Sequence, residues 1–550
     1  METRTVADVV GRTLASLGVD TVFGLAGSGN FAVTNALVEG GARFHSSRHE
    51  GGAVAMADGW SRTTGRPGVV SVHQGPGVTN TLTALAEASK ARTPLVVLAG
   101  DTPARALRSN FRVDQHGLVR AVGAQPELVY GAESAAADAA RALRRAELER
   151  RPVVLMLPID IQPQPAEPGA APDPRPLPLQ PAPDAEAAVR AARVLAAAER
   201  PLVVAGRGAV LAGAREALEA LAQRTGALLA TSAMAHGLFA GLPFALGIAG
   251  GFASPLAAEL MADSDVVLAF GATLNQWTTR HGALIAPDAQ LVQVDVDPAA
   301  IGAHRPADVA VVADAVAAAH ALREALDDLG HESHGRRTAA LADDIAAHRW
   351  RDEPYEDAPA PGTIDPRTLA IALDDLLPPD RAVAVDSGAF SGWPAMYLGV
   401  ADARAWLFCN AFQSVGLGLG AAIGAAVARP DRITVAALGD GGAFLALQEL
   451  DTAARLGVPV LVVVWDDAAY GAEVHHFGPM GQDVGIARFP DADLAAIARG
   501  AGVEACTVRG TDDLAPVARW AADPAGPFLL DAKVDPGICG AWLEEAFRTG

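Results

Sequence analysis

Short runs of aliphatic and β-branched residues recur along the chain, each bounded by glycine, proline or charged residues and separated by stretches with helical spacing of apolar positions. Residues 69–72 and 95–98 are such runs in the first third, 202–205, 266–270 and 291–296 in the middle, and 382–385, 433–438 and 458–464 in the last. Segments 51–61, 80–88 and 444–456 carry the spacing of helices. Apolar runs without alternation mark strands buried on both faces, and strands that alternate with helices build parallel sheets. The fold class predicted is therefore α/β, with central parallel sheets flanked by helices.

Proline density divides the chain. Residues 161–183 hold too many prolines for a helix or a central strand, and a second break at 352–366 follows a charged helical segment. Three domains are expected, at 1–165, 185–350 and 367–550, joined by linkers at 166–184 and 351–366. Half of the 550 residues are hydrophobic but only 5% are aromatic, so the cores must be aliphatic and alanine-rich. A net charge of -21 argues against nucleic acid or an anionic membrane as partner, and an anionic ligand would need a local cation or helix N-termini. Cys409, Cys506 and Cys539 lack metal-ligand spacing, which fits a reducing compartment. Residues 1–25 lack a basic segment followed by an apolar core, and no run of about 18 apolar residues occurs, so a soluble cytoplasmic protein is expected.

In open parallel sheets ligands bind beyond the carboxyl ends of the strands, and polar clusters fall there. Gly439-Asp440-Gly441-Gly442 ends one apolar run and Asp466-Asp467 ends the next. Glycines allow a sharp turn and close approach of backbone amides to a phosphate, and two acidic groups on one sheet edge suit a hard divalent cation. Ser46 to Glu50 follows a strand-like segment at 42–45, and His73-Gln74-Gly75-Pro76-Gly77 follows the strand at 69–72.

Together these pieces resemble the thiamine diphosphate-dependent superfamily of acetolactate synthase, pyruvate decarboxylase and benzoylformate decarboxylase, and overall acetolactate synthase large-subunit-like proteins. The likeness rests on four ordered motifs: His49-Glu50-Gly51-Gly52-Ala53 with Met56-Ala57-Asp58-Gly59, Gln74-Gly75-Pro76-Gly77 with Thr79-Asn80, Gln293 to Pro298, and Gly439-Asp440-Gly441 to Asp466-Asp467. It implies pyrimidine-binding, central Rossmann-like and diphosphate-binding domains in that order. It also implies an active site where the first domain of one subunit meets the third of another, hence a homodimer or homotetramer.

By this resemblance Glu50 hydrogen-bonds the aminopyrimidine and should be buried enough to share a proton with it. Asp440, Asp467 and the carbonyl of Ala469 would hold Mg²⁺, with Ca²⁺ also suited. The usual asparagine pair is replaced by Asp466-Asp467, which adds negative charge beside a diphosphate. Val415 resembles the apolar wedge that bends the cofactor, with Gln413 beside it. Gly388, Ala389, Phe390, Gly441, Gly442, Ala443, Tyr470 and Gly471 would line the cofactor. On the substrate side Ser28 and His73 match an active-site serine and histidine of benzoylformate decarboxylase, Gln115-His116 aligns with a Gln-Glu pair of acetolactate synthases, and Glu473 matches a glutamate of pyruvate decarboxylases. A histidine pair at 475 and 476 cannot point both side chains inward.

The layout implies decarboxylation of a 2-oxo acid to an enamine and carboligation with a second carbonyl acceptor to give a 2-hydroxyketone. Ser28, His73 and Glu473 point instead to simple decarboxylation with release of an aldehyde. A flavin- or nicotinamide-linked oxidoreductase is the reading of another class. Gly416-Leu417-Gly418-Leu419-Gly420 follows no clear strand, and Gly206-Arg207-Gly208 alone does not establish FAD in the central domain. Retention of the glutamate and of the acidic metal pair argues against a non-catalytic scaffold.

Overall fold

The computed structural model describes residues 4–167, 181–333 and 335–548. The linker expected at 166–184 lies mostly outside the described residues. Three six-stranded sheets dominate the molecule, each parallel throughout. In spatial order the first holds Arg43–Ser46, Thr21–Gly24, Gly68–Val72, Leu95–Asp101, Pro152–Pro158 and Gln125–Leu128. The third holds Trp406–Phe408, Arg381–Val385, Ile433–Gly439, Val460–Asp466, Phe528–Lys533 and Glu504–Val508. Numbered by sequence within each domain, both read 2-1-3-4-6-5. The middle sheet reads 3-2-1-4-5-6, the doubly wound dinucleotide-fold order. Gln290–Asp295 is its fifth strand, and Val309–Val312 forms the edge. The motif at 293–298, which resembles the closing strand of the family's central domain, is therefore not the edge here: a later strand, alternately buried and exposed, covers it.

The first and third domains meet through two helices. Glu50–Thr64 starts where extended His49 accepts the Gly51 N–H through its own ring nitrogen, and ends at left-handed Gly65. It lies on Gly418–Ala428 so closely that a Cβ at Gly59 would stand 2.0 Å from the Ala421 carbonyl oxygen, and one at Gly424 1.8 Å from that of Met56. Gly420 and Gly424 therefore serve helix contact, and Met56 and Leu85 share one core with Leu419, Ile423 and Leu450.

The single helix expected over 444–456 is two helices, Asp440–Ala446 and Glu449–Leu456. The first begins at the metal-motif aspartate itself, so the glycine turn is shorter than the sequence pattern implied. Among the described residues no helix is long and apolar enough to cross a membrane.

Candidate active site

Parallel pairing sets Gly439 opposite Trp465, so Asp440 and Asp466-Asp467 leave neighbouring strands side by side. Asp440 is buried, and its carboxylate and that of Asp467 lie close enough to shift each other's protonation. Burial raises both carboxyls, and the crowding of Asp440 by Asp467 and Asp466 raises it further. Two carboxylates so placed are a donor pair that a divalent cation would relieve.

Asp466 has a partner of its own. Its carboxylate lies 2.5 Å from Lys533 Nζ, which also reaches Asp491 at 2.6 Å and Asp531 at 3.1 Å. Asp466 thus has a buried cationic partner, shared with two further carboxylates. Ala469 is buried beyond Ala468, which holds a left-handed φ of 53°. Among the described residues no three histidine, cysteine, aspartate or glutamate side chains cluster to hold a metal. A cation here would take two carboxylates and a backbone carbonyl.

Around this pair lies a cradle that side chains would fill. A Cβ at Gly471 would meet Asp467 Oδ2 at 2.4 Å, one at Gly441 the Tyr470 ring at 2.8 Å, and one at Gly442 Asp386 Oδ2 at 2.5 Å and Val415 at 3.3 Å. Gly388, with φ 149°, turns the chain toward Ala389 and Phe390, and Phe390 stacks on Trp465. The cleft here is about 1400 Å³ and is lined by Gly388, Ala389, Phe390, Gln413 and Val415, together with Asp440, Gly441, Gly442, Asp467, Ala469, Tyr470, Gly471 and Glu473. Ala443 is buried on the same helix but does not line it. His475 lines it and His476 instead stacks on Phe547, as a helix with two adjacent histidines requires.

Asp386 escaped the sequence reading. It is wholly buried, accepts Gly416 N–H at 2.8 Å and Leu417 N–H at 3.2 Å, and so holds the loop that carries Val415 and left-handed Gln413. Burial pushes its carboxyl up to about 6 against those donors. Aspartate two residues before a glycine turn at a strand end was the signal available.

The other predicted residues form a separate cluster in the first domain. Glu50 is buried and takes Asn80 Nδ2–H at 2.9 Å on one oxygen. His73 Nδ1 lies 2.8 Å from Gln74 O, which places the proton on Nδ1 and leaves Nε2 to accept the Ser28 hydroxyl at 3.1 Å. Gln115 is buried, takes Gly75 N–H at 2.6 Å and donates to Gly100 O and Asp101, while His116 stands 3.9 Å from Asp101. Within one chain Glu50, Ser28, His73, Gln115 and His116 do not line the cleft of Asp440 and Asp467.

In the central domain a Cβ at Gly206 would stand 2.2 Å from Gly271 O, so that glycine serves loop packing and gives FAD no support.

Comparison with known proteins agrees with this division. Residues 4–129 match the thiamine pyrophosphate enzyme N-terminal TPP binding domain, 188–322 the central domain and 386–532 the C-terminal TPP binding domain. The chain belongs to the thiamine pyrophosphate enzyme family. It is similar to the sulfoacetaldehyde acetyltransferase of Rhodobacter capsulatus, at 31% identity over 95% of this chain and 93% of that protein. It is also similar to the acetolactate synthase large subunit of Parasynechococcus marenigrum, at 33% over 81% and 73%, and to the probable 2-ketoarginine decarboxylase of Pseudomonas aeruginosa, at 32% over 93% and 90%. This thiamine pyrophosphate enzyme therefore carries both cofactor-binding domains in one chain, and the paired carboxylates lie in the C-terminal one.

Proposed function

We propose that this chain is a thiamine diphosphate- and Mg²⁺-dependent enzyme of a reducing cytoplasm that decarboxylates a 2-oxo acid and joins the remaining acyl unit to a second carbonyl compound, giving a 2-hydroxyketone. The observation that carries the reading is the Asp440–Asp467 pair inside its glycine cradle. The pair and the Ala469 carbonyl would hold Mg²⁺ or Ca²⁺ against the diphosphate, with Gly441 and Gly442 close to the phosphates. Bound thiamine diphosphate supplies a carbanion nucleophile and an electron sink. Glu50, buried at a helix N-terminus and oriented by Asn80, would hold a proton at the pyrimidine nitrogen. Val415 would force the cofactor's bend, and Tyr470 would pack beside it.

The cluster of Glu50, Ser28 and His73 stands apart from that cleft within one chain, so it is assigned to the site of a second subunit. Exposed apolar side chains are available for such a contact: Ile486 is 91% exposed and Leu107 71%. The proposal is a homodimer, or a homotetramer built from it.

A specific contact favours a second reading. Ser28 and His73, hydrogen-bonded at 3.1 Å, form a proton-carrying pair that suits quenching to an aldehyde. Incubation with pyruvate, benzoylformate, longer 2-oxo acids and, as acceptor, sulfoacetaldehyde separates them. A 2-hydroxyketone is expected; aldehyde alone selects simple decarboxylation, and no consumption of any 2-oxo acid rejects both.

A further inference from the structure

Two buried glutamates cross between the first and third domains in the same way. Glu449 opens the helix Glu449–Leu456, which follows the third strand of its sheet, and takes the backbone N–H groups of Arg48 at 3.2 Å and His49 at 2.9 Å. Glu87, on Leu82–Lys90 after the third strand of the first sheet, takes those of Ala411 at 3.1 Å and Phe412 at 2.6 Å. Each carboxylate thus binds two consecutive amides in the loop after the second strand of the opposite domain.

An arginine completes each crossing at the last residue of that second strand. Arg455 donates to Ser46 O at 2.8 Å and Arg62 to Phe408 O at 3.0 Å. The fit at the first crossing is tight: a Cβ at Gly52 would stand 2.4 Å from Glu449 Oε1, so the carboxylate rests on the first turn of the Glu50 helix. Four backbone amides that a loop would otherwise leave to water are fixed by charge-assisted hydrogen bonds from a different domain.

What the two loops carry gives the pair its meaning. Arg48-His49 leads directly into Glu50, and Ala411-Phe412 leads into Gln413 and Val415. From this geometry we infer that Glu449 and Glu87 are reciprocal positioning residues: Glu449 aims Glu50, and Glu87 aims the Gln413–Val415 segment. Each is supplied by the domain that does not bear the group it aims. Their assignment as positioning residues for catalysis rests on the proposed function, whereas the clamps themselves do not.

Amide hydrogen exchange of the cofactor-free protein tests the clamps. In Glu449→Ala the amides of residues 48–49 should exchange about tenfold faster with 411–412 unchanged, and in Glu87→Ala the reverse should hold. With cofactor and a 2-oxo acid, Glu449→Ala should lower kcat by about tenfold or more at little change in cofactor Kd. Glu87→Ala should raise the apparent thiamine diphosphate Kd by about tenfold. Glu449→Gln keeps the one oxygen that can serve both amides and should recover most of the loss, whereas Glu87→Gln keeps an acceptor for only one of its two amides and should recover part; both carry the test if an alanine variant does not fold. Unchanged exchange at the clamped amides overturns the clamps, and faster exchange with kinetics unmoved overturns the positioning role. A wild-type protein that shows the exchange pattern but binds no thiamine diphosphate rejects the proposed function alone.

Discussion

At the scale of the residue, the candidate site was legible where chemistry sits in a local motif and hidden where it depends on a distant partner. Asp440, Asp467 and Glu50 announce themselves by glycine neighbours and strand-end positions, and the structure buries Glu50 and brings the two aspartates together. Lys533, which pairs with Asp466 from 67 residues away, has no local signature, and neither do Glu87 and Glu449. Asp386 gives this scale its prediction. Its carboxyl is raised by burial to about 6 from an ordinary value of 3.8, so the folded protein favours the protonated form. The associated stability is full below about pH 4, is lost as the pH rises through about 6, and is flat above. A shift of that size is worth about 3 kcal/mol. Denaturant unfolding of the cofactor-free protein at stepped pH should show Asp386→Asn gaining on the wild type by up to that amount between pH 4 and 6.5. A difference that does not vary with pH would contradict it.

Elements were legible in proportion to how completely they are buried. The central strands of each sheet appear in sequence as unbroken apolar runs, and those at 69–72, 95–98, 266–270 and 433–438 lie within strands that the structure shows. Strands such as Gln125–Leu128, Glu504–Val508 and Trp406–Phe408 were missed because they lie at sheet edges, are short, or carry polar residues. The helix Gly418–Ala428 shows in the sequence only as a glycine-rich run after no clear strand, and its partner across the domain boundary explains Gly420 and Gly424. That contact has a direct consequence. The methyl group of Gly424→Ala would stand 1.8 Å from the Met56 carbonyl oxygen, backbone against backbone, and neither helix can yield alone because both are covered by sheets. The substitution should cost more than about 2 kcal/mol. It should also loosen the amides of residues 48–49 and 411–412 together, because moving the helices apart withdraws both glutamates. Hydrogen exchange reads this outcome, and a stable Gly424→Ala protein with normal protection at both loops would show that the close approach is not needed.

At the scale of the whole molecule, the first and third sheets share one strand order and carry at their carboxyl edges the two halves of the proposed site: a buried glutamate on one, a carboxylate pair in a glycine cradle on the other. Because the two helices that join these domains hold Glu50 away from its own chain's cleft, the proposed site joins the halves between subunits related by a two-fold axis. This arrangement makes a prediction that no single-subunit site can imitate. Glu50→Gln and Asp440→Asn should each abolish turnover in homodimers, since every site then lacks one partner. In a mixed dimer one site receives both defects and the other receives neither. Equal amounts of the two variants, dissociated and reassembled together, should therefore recover about a quarter of wild-type activity, because half of the dimers are mixed and each has one intact site. Assembly before mixing, with no exchange of subunits, should leave activity near zero. If the two substitutions instead fail to complement while mixed dimers are demonstrably present, both halves of the site must come from one chain, and the separation of Glu50 from the Asp440 cleft would have to close by a domain movement.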